Sequence, residues 1–347
     1  EKAVNALKAQ VVAGVAGSGK SLVLLYRLRM LRNFFPKRSQ RALVLTHNKA
    51  LATDLKERYR ILNGEDADQV EFSTFMNWFG RRPESESWRN PLPEFERVDI
   101  LKRVHADHLS EMSLTVDQFA QEVGWLKDLG LPGRTQYLEM PRTGQGFALQ
   151  LNQRERVYDA VEAYETTLKA ANKRDWHDVP LALWKTLDGG QTRMQFQYDI
   201  LFIDETQFCA PIWFDLLRSA IEPEQGMLFM AADPTQGFLR RRQSWRGMGL
   251  DVRGQLIRLD KSYRTTREIL SFASMFYRRR LPEDAEAILA TDLAHLPKGP
   301  MPFILPVRSP HDEYTRIENE ITDYRLEQEN TTNGNLEVND IFTNIFD

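Results

Sequence analysis

Two kinds of hydrophobic pattern divide this chain. Short, nearly unbroken apolar runs occur at Gln10–Ala13, Arg41–Thr46 (RALVLT), Tyr198–Ile203 (YDILFI), Gly226–Ala231 (GMLFMA) and Gln255–Leu259 (QLIRL). Runs of that length without alternation predict strands covered on both faces, as in a parallel sheet. Leu22–Leu31 and Lys49–Arg60 carry helical patterns, and Val70–Phe72 predicts a strand ending in a turn at Ser73-Thr74-Phe75. The pattern then changes. Residues 81–93 hold three prolines and mixed charge and predict a connection, while residues 94–187 read as helix almost throughout. In Arg156–Ala170 the apolar Val157, Val161, Tyr164 and Leu168 recur at helical spacing, and Gly189-Gly190 closes the block. Further on, Phe303–Val307 predicts another strand and Tyr314–Tyr324 another helix. The expected fold class is α/β, a parallel sheet interrupted by an all-helical insertion.

Composition narrows the class without naming a function. A chain of 347 residues predicts two to three domains. Its 42% hydrophobic and 27% charged content is that of a globular protein. No apolar run reaches the roughly 18–20 residues needed to span a bilayer, and no secretory leader is visible, so no membrane partner is expected. Cys209 is the one cysteine, which excludes an intrachain disulfide and a cysteine-based zinc site and fits a cytoplasmic location. The chain starts at Glu1 rather than Met, so further sequence upstream is expected. Net charge is −3, which gives no global attraction to a polyanion, yet Gly237–Arg280 holds twelve Lys and Arg against three acids. Such a stretch is either a nucleic-acid track or a solvated face.

The chemistry starts at Gly14-Val15-Ala16-Gly17-Ser18-Gly19-Lys20-Ser21, a complete G-x-x-x-x-G-K-[ST] phosphate-binding loop. Its glycines let backbone N–H groups cradle phosphates, Lys20 reaches the β/γ-phosphates and Ser21 can hold Mg²⁺. A strand leads in and a helix leads out, aiming the helix's positive end at the phosphates. Asp204-Glu205-Thr206-Gln207 follows the YDILFI run directly. One carboxylate there can hold Mg²⁺ and the next can deprotonate an attacking water. Ala232-Asp233-Pro234-Thr235-Gln236 also follows a strand, and Gln236 is long enough to sense a γ-phosphate. In Leu259–Ile269, Arg264 is a candidate cation for the phosphates and Tyr263 a candidate platform for adenine. His105 and His108 share a helical spacing, but no further ligands accompany them, so no metal site is expected there.

Taken in order, GVAGSGKS, LTHNKAL, FSTF, LFIDETQ, AADPTQ and LDKSYRTTREI resemble motifs I, Ia, Ib, II, III and IV of UvrD/Rep-type superfamily 1 helicases. Arg174-Asp175-Trp176-His177-Asp178 is similar to the segment that precedes motif II in that family. The resemblance implies a RecA-like lobe and a motor on single-stranded DNA, typically running 3′ to 5′, with ATP and Mg²⁺ as cofactors. Carried over, the family pattern makes Asp204 a Mg²⁺ ligand with Ser21, Glu205 the catalytic base, and Lys20, Gln236 and Arg264 catalytic groups on the phosphates. It makes Tyr263 an adenine stack. Asn48, Lys49 and Thr74 would contact the nucleic-acid backbone, and Trp245, from a W-R-G displaced from Gln236 by Arg240–Gln243, would stack on a base, with Arg246 beside it at the nucleic acid. Motif Ia has Thr46-His47 where the family commonly has an aromatic, and motifs V and VI have no counterpart.

The resulting layout is a first lobe at 1–80 and 191–275, a helical insertion at 81–190, and the start of a second RecA-like lobe at 276–347. Two other readings stand beside the motor: a nucleotide-gated module whose insertion docks a protein partner, and a fragment inactive outside a larger repair or phage-defence assembly. RNA and DNA are not distinguished by these motifs.

Overall fold

The computed structural model describes residues 7–36, 41–63, 69–82, 91–142, 146–222, 226–233, 250–252, 254–280 and 293–331. Among them seven strands form one all-parallel sheet: β1 (Leu7–Gly14), β2 (Ala42–Thr46), β3 (Val70–Thr74), β4 (Ile200–Ile203), β5 (Met227–Ala232), β6 (Leu250–Asp251) and β7 (Leu256–Leu259). The order is β3-β2-β4-β5-β1. The outer edge of β1 is shared end to end by β6, at Leu7 and Lys8, and by β7, at Val11–Gly14. The helices are α1 (Lys20–Phe34), α2 (Lys49–Asn63), α3 (Phe75–Gly80), α4 (Glu94–Leu109), α5 (Val116–Asp128), α6 (Arg134–Glu139), α7 (Leu151–Ala170), α8 (Asp178–Thr186), α9 (Pro211–Ala220), α10 (Arg267–Arg280) and α11 (Pro310–Thr331).

Alternation along the strands splits the apolar residues between two faces. Val12, Val44, Phe202 and Phe229 point to one side and pack with Leu24, Leu25 and Leu28 of α1 and with Leu55 and Tyr59 of α2. Val11, Leu43, Leu45, Leu201, Ile203 and Met230 point to the other side and pack with Phe75 and Trp78 of α3, with α8, and with Ile212, Trp213 and Leu216 of α9. Each fully buried Leu or Phe contributes on the order of 1.5–3 kcal/mol. Both faces are covered, which is why β2 and β4 read as continuous apolar runs.

A third cluster lies within the helical block: Ile100 and Leu101 of α4, Phe119 and Val123 of α5, Tyr137 of α6, and Val157, Val161 and Leu168 of α7. A capping box starts α5, with the Thr115 hydroxyl accepting from the Gln118 N–H and the Gln118 side chain accepting from the Thr115 N–H. Helix α8, which falls inside the predicted 81–190 insertion, instead buries Val179, Leu181 and Leu183 in the sheet-side core.

Buried ions tie this block to α8. Lys127 of α5 has no exposed surface and its ammonium lies 2.8 Å from Glu165 of α7, 3.0 Å from Asp175 and 2.8 Å from Asp178. The Tyr164 hydroxyl donates to Asp175 Oδ2 over 2.8 Å, and Asp178 Oδ2 accepts from the Asp175 N–H at 2.9 Å. Burial alone would lower the Lys127 pKa, but the three carboxylates outweigh it and raise it.

Two sequence expectations are corrected. Ser73-Thr74-Phe75 holds the strand end but no turn: β3 runs to Thr74, whose hydroxyl accepts from the Asn77 N–H and so starts α3 directly. Phe303–Val307 forms no ladder with any described strand, and Phe303 and Ile304 stay exposed. An apolar run becomes a strand only where a neighbouring strand takes up its backbone groups. No described helix is long and apolar enough to cross a membrane.

Candidate functional site

Because every strand is parallel, all their C-terminal ends meet on one edge of the sheet, where ligands bind in open α/β folds. Read along that edge, Thr74 ends β3, Thr46 ends β2 and leads into His47–Lys49, Asp204–Phe208 follow β4, Asp233 follows β5, Gly14 ends β1 and opens the loop to Gly19, and Ser262–Arg264 follow β7.

The loop after β1 depends on its glycines, both within itself and against the segment that follows β7. A Cβ on Gly14 would sit 2.4 Å from Ser18 Oγ, and one on Gly17 would sit 2.3 Å from Arg264 Cβ. Gly17 and Gly19 have φ of 75° and 88°, the left-handed region that favours glycine. Lys20 opens α1 and is 7% exposed. Its ammonium donates to the carbonyls of Gly14 (2.8 Å) and Val15 (2.9 Å) and lies 3.5 Å from buried Asp233. Ser18 is buried, and its hydroxyl has no hydrogen-bond partner among the described residues. An orphaned buried hydroxyl, an ammonium and the first N–H groups of a helix suit an incoming phosphate.

Ser21 Oγ donates to Asp204 Oδ2 over 2.7 Å, joining α1 to the end of β4. A hydroxyl beside a carboxylate is the hard-oxygen pair that suits Mg²⁺. Among the described residues no group of three or more His, Cys, Asp or Glu could hold a metal, so phosphate and water would supply the other ligands. Glu205 sits at φ 57°, ψ 45°, a left-handed conformation that costs a non-glycine residue about 1–2 kcal/mol. The Gln207 amide donates to Glu205 Oε2, while its carbonyl accepts from the Asp233 N–H at 2.9 Å. Thr206 Oγ1 donates to the Ala231 carbonyl at 2.9 Å. The acidic loop is therefore fastened to the end of β5.

The profile of the UvrD/REP helicase N-terminal domain matches residues 1–247. The chain belongs to the UvrD/REP helicase family. No curated protein matches it. Membership makes the chain part of a superfamily 1 helicase, a class that binds DNA and nucleotide, hydrolyses ATP and typically uses Mg²⁺.

Within this UvrD/REP helicase domain the predicted residues fall into two adjoining groups. Toward β7, the Tyr263 N–H donates to the Gly17 carbonyl (2.9 Å), so Tyr263 and Arg264 lie against the phosphate loop. Toward β3, Asn48 caps α2 by accepting from the Leu51 N–H at 2.7 Å, with exposed Lys49 beside it, and Thr74 is the register partner of Thr46 on the neighbouring strand. His47 stacks on Phe208, ring centroids 4.6 Å apart, so the acidic loop also touches this second group. Gln236, Trp245 and Arg246 lie outside the described residues. His105 is occupied by the Leu114 carbonyl, 2.6 Å away.

Sequence reading missed two fasteners. Gln207 stood in the D-E-T-Q run, where its spacing from Glu205 was a usable signal. Ser262, buried and donating to the Ala16 carbonyl at 2.9 Å, had no local signal, because its partner lies 246 positions away.

Burial pushes the Asp204 carboxyl up to about 6, with Glu205 adding to the effect and Ser21, the Glu205 N–H and Lys20 opposing it. In the ligand-free protein this proton is held more tightly folded than unfolded. Its stabilising contribution is fully present below the unfolded pKa near 4 and is lost as pH rises through about 6. Asp204→Asn removes that dependence. Relative to wild type, the variant is expected to gain about 1–3 kcal/mol between about pH 4 and pH 7, read from urea midpoints without nucleotide. A difference that does not grow with pH would contradict this account.

Proposed function

We propose that this chain carries the ATP site of a motor that moves along single-stranded DNA, in the 3′-to-5′ sense common in the family. The observation that carries this reading is the Asp204–Phe208 loop, which reaches the phosphate loop through Ser21 and the motif Ia segment through His47. A change at the nucleotide is thereby transmitted to the neighbouring strand ends.

In this reading Lys20 and the loop N–H groups hold the triphosphate, and Arg264 adds positive charge. Ser21 and Asp204 would hold Mg²⁺, which would supply charge neutralisation for the phosphates. Glu205, aimed by Gln207, takes the proton of the attacking water. Tyr263 receives the adenine ring, and Gln236 reports the γ-phosphate. Asn48, Lys49 and Thr74 hold the nucleic-acid backbone, while Trp245 stacks on a base, a contact worth about 1–3 kcal/mol, with Arg246 beside it at the nucleic acid. The lobe comprises 1–80 and 191–275 with α8 packed onto it, residues 81–190 otherwise form the insertion, and 276–347 begin the second lobe.

The test is steady-state ATP hydrolysis with and without a single-stranded DNA oligonucleotide, repeated with RNA of the same sequence. DNA should stimulate hydrolysis, and Lys20→Ala should reduce the stimulated rate by about a hundredfold or more. Nucleotide binding without any stimulation would favour a nucleotide-gated module, with the insertion docking a protein.

A further inference from the structure

Residues 293–299 pack against the stretch that follows β7. The Arg267 N–H donates to the Pro297 carbonyl (3.0 Å), the Gly299 N–H donates to Glu268 Oε2 (2.7 Å), and Leu296 is buried. A Cβ on Gly299 would lie 2.4 Å from Thr266 Cγ2, so the Gly299 backbone lies tight against the Thr266 side chain. This clasp places His295 beside the candidate nucleotide residues. His295 Nε2 lies 2.6 Å from the Ser262 carbonyl. A carbonyl only accepts, so this nitrogen carries the proton and donates. The ring packs against Tyr263 with centroids 5.3 Å apart and planes at 56°. Ser262 in turn donates to Ala16, and the Tyr263 N–H to Gly17. A continuous path thus runs from His295 to the phosphate loop, while the Tyr263 side chain stays 71% exposed.

We propose that His295 is a positioning residue for the nucleoside end of a bound triphosphate. It pins the Ser262–Tyr263 peptide against the loop and sets the Tyr263 ring as a platform for a purine base. This rests on reading the loop as a nucleoside triphosphate site. The phosphate contacts belong to other residues, so the effect falls on the base and not on the phosphates.

The experiment compares ATP with inorganic tripolyphosphate, which has no base, by titration calorimetry on the full chain. His295→Ala is expected to weaken ATP binding about five- to tenfold, the scale of one lost aromatic contact, and to leave tripolyphosphate binding within about twofold. His295→Gln keeps an N–H donor and is expected to recover part of the loss. Unchanged ATP affinity in His295→Ala, equal weakening of both ligands, or a Gln variant no better than Ala would overturn the proposal. Wild-type protein that binds neither ligand would instead overturn the nucleotide-site reading beneath it.

Discussion

Glu205→Gln should lower the turnover of DNA-stimulated ATP hydrolysis by about 10²–10⁴, the range lost with a general base, while ATP affinity stays close to that of wild type. The substitution is close to geometrically neutral. A glutamine carbonyl still accepts from the Gln207 amide, so the bridge from the acidic loop to the Asp233 N–H persists. The Ser21–Asp204 hydrogen bond and the Lys20–Asp233 ion pair are untouched. What is lost is the ability to take up a proton. Single-turnover hydrolysis with nucleotide binding measured in parallel separates the outcomes. Loss of hydrolysis with retained binding fits a base; loss of both would make Glu205 a structural support, and loss of neither would move the base elsewhere. Partner capture that persists in the variant would point to a switch rather than a motor.

Lys127→Met is expected to have the largest effect on stability. Methionine matches the length of the stem but leaves Asp175 and Asp178 in the interior without the ammonium that binds both. Breaking a buried pair from one side typically costs about 3–5 kcal/mol. Burial pushes Asp175 up, yet Lys127, His177 and the Tyr164 hydroxyl together hold it below the ordinary range. Without Lys127 the folded-state pKa values of both aspartates rise. The destabilisation should then be largest near neutral pH and shrink as the pH falls and they take up protons. Urea denaturation at about pH 7 and pH 5 checks this; a loss independent of pH would mean that packing, not charge, is what Lys127 supplies. The staple joins α5 and α7 to the start of α8, so an early, separate transition of the helical block is the expected form of the damage.

Much of this was legible along the chain. The phosphate loop, the acidic pair after YDILFI and the motif order depend on local requirements: glycines where φ is positive, apolar runs where a strand is covered on both sides, a carboxylate at a strand's end. Such constraints act over a few residues and leave their mark in sequence. The Phe303–Val307 run shows the limit, since its apolar pattern does not supply a strand to pair with.

The sequence by itself determined the α/β class, the family and which residues are candidates for phosphate, metal and proton transfer. Only the tertiary structure decided that α8 packs under the sheet, that Asp204 is buried deeply enough to hold its proton to about pH 6, that Gln207 and Ser262 fasten the site, and that His295 meets Tyr263. The reason is distance along the chain. Each of these depends on desolvation or contact between segments far apart in sequence, and no local pattern encodes which of them will meet.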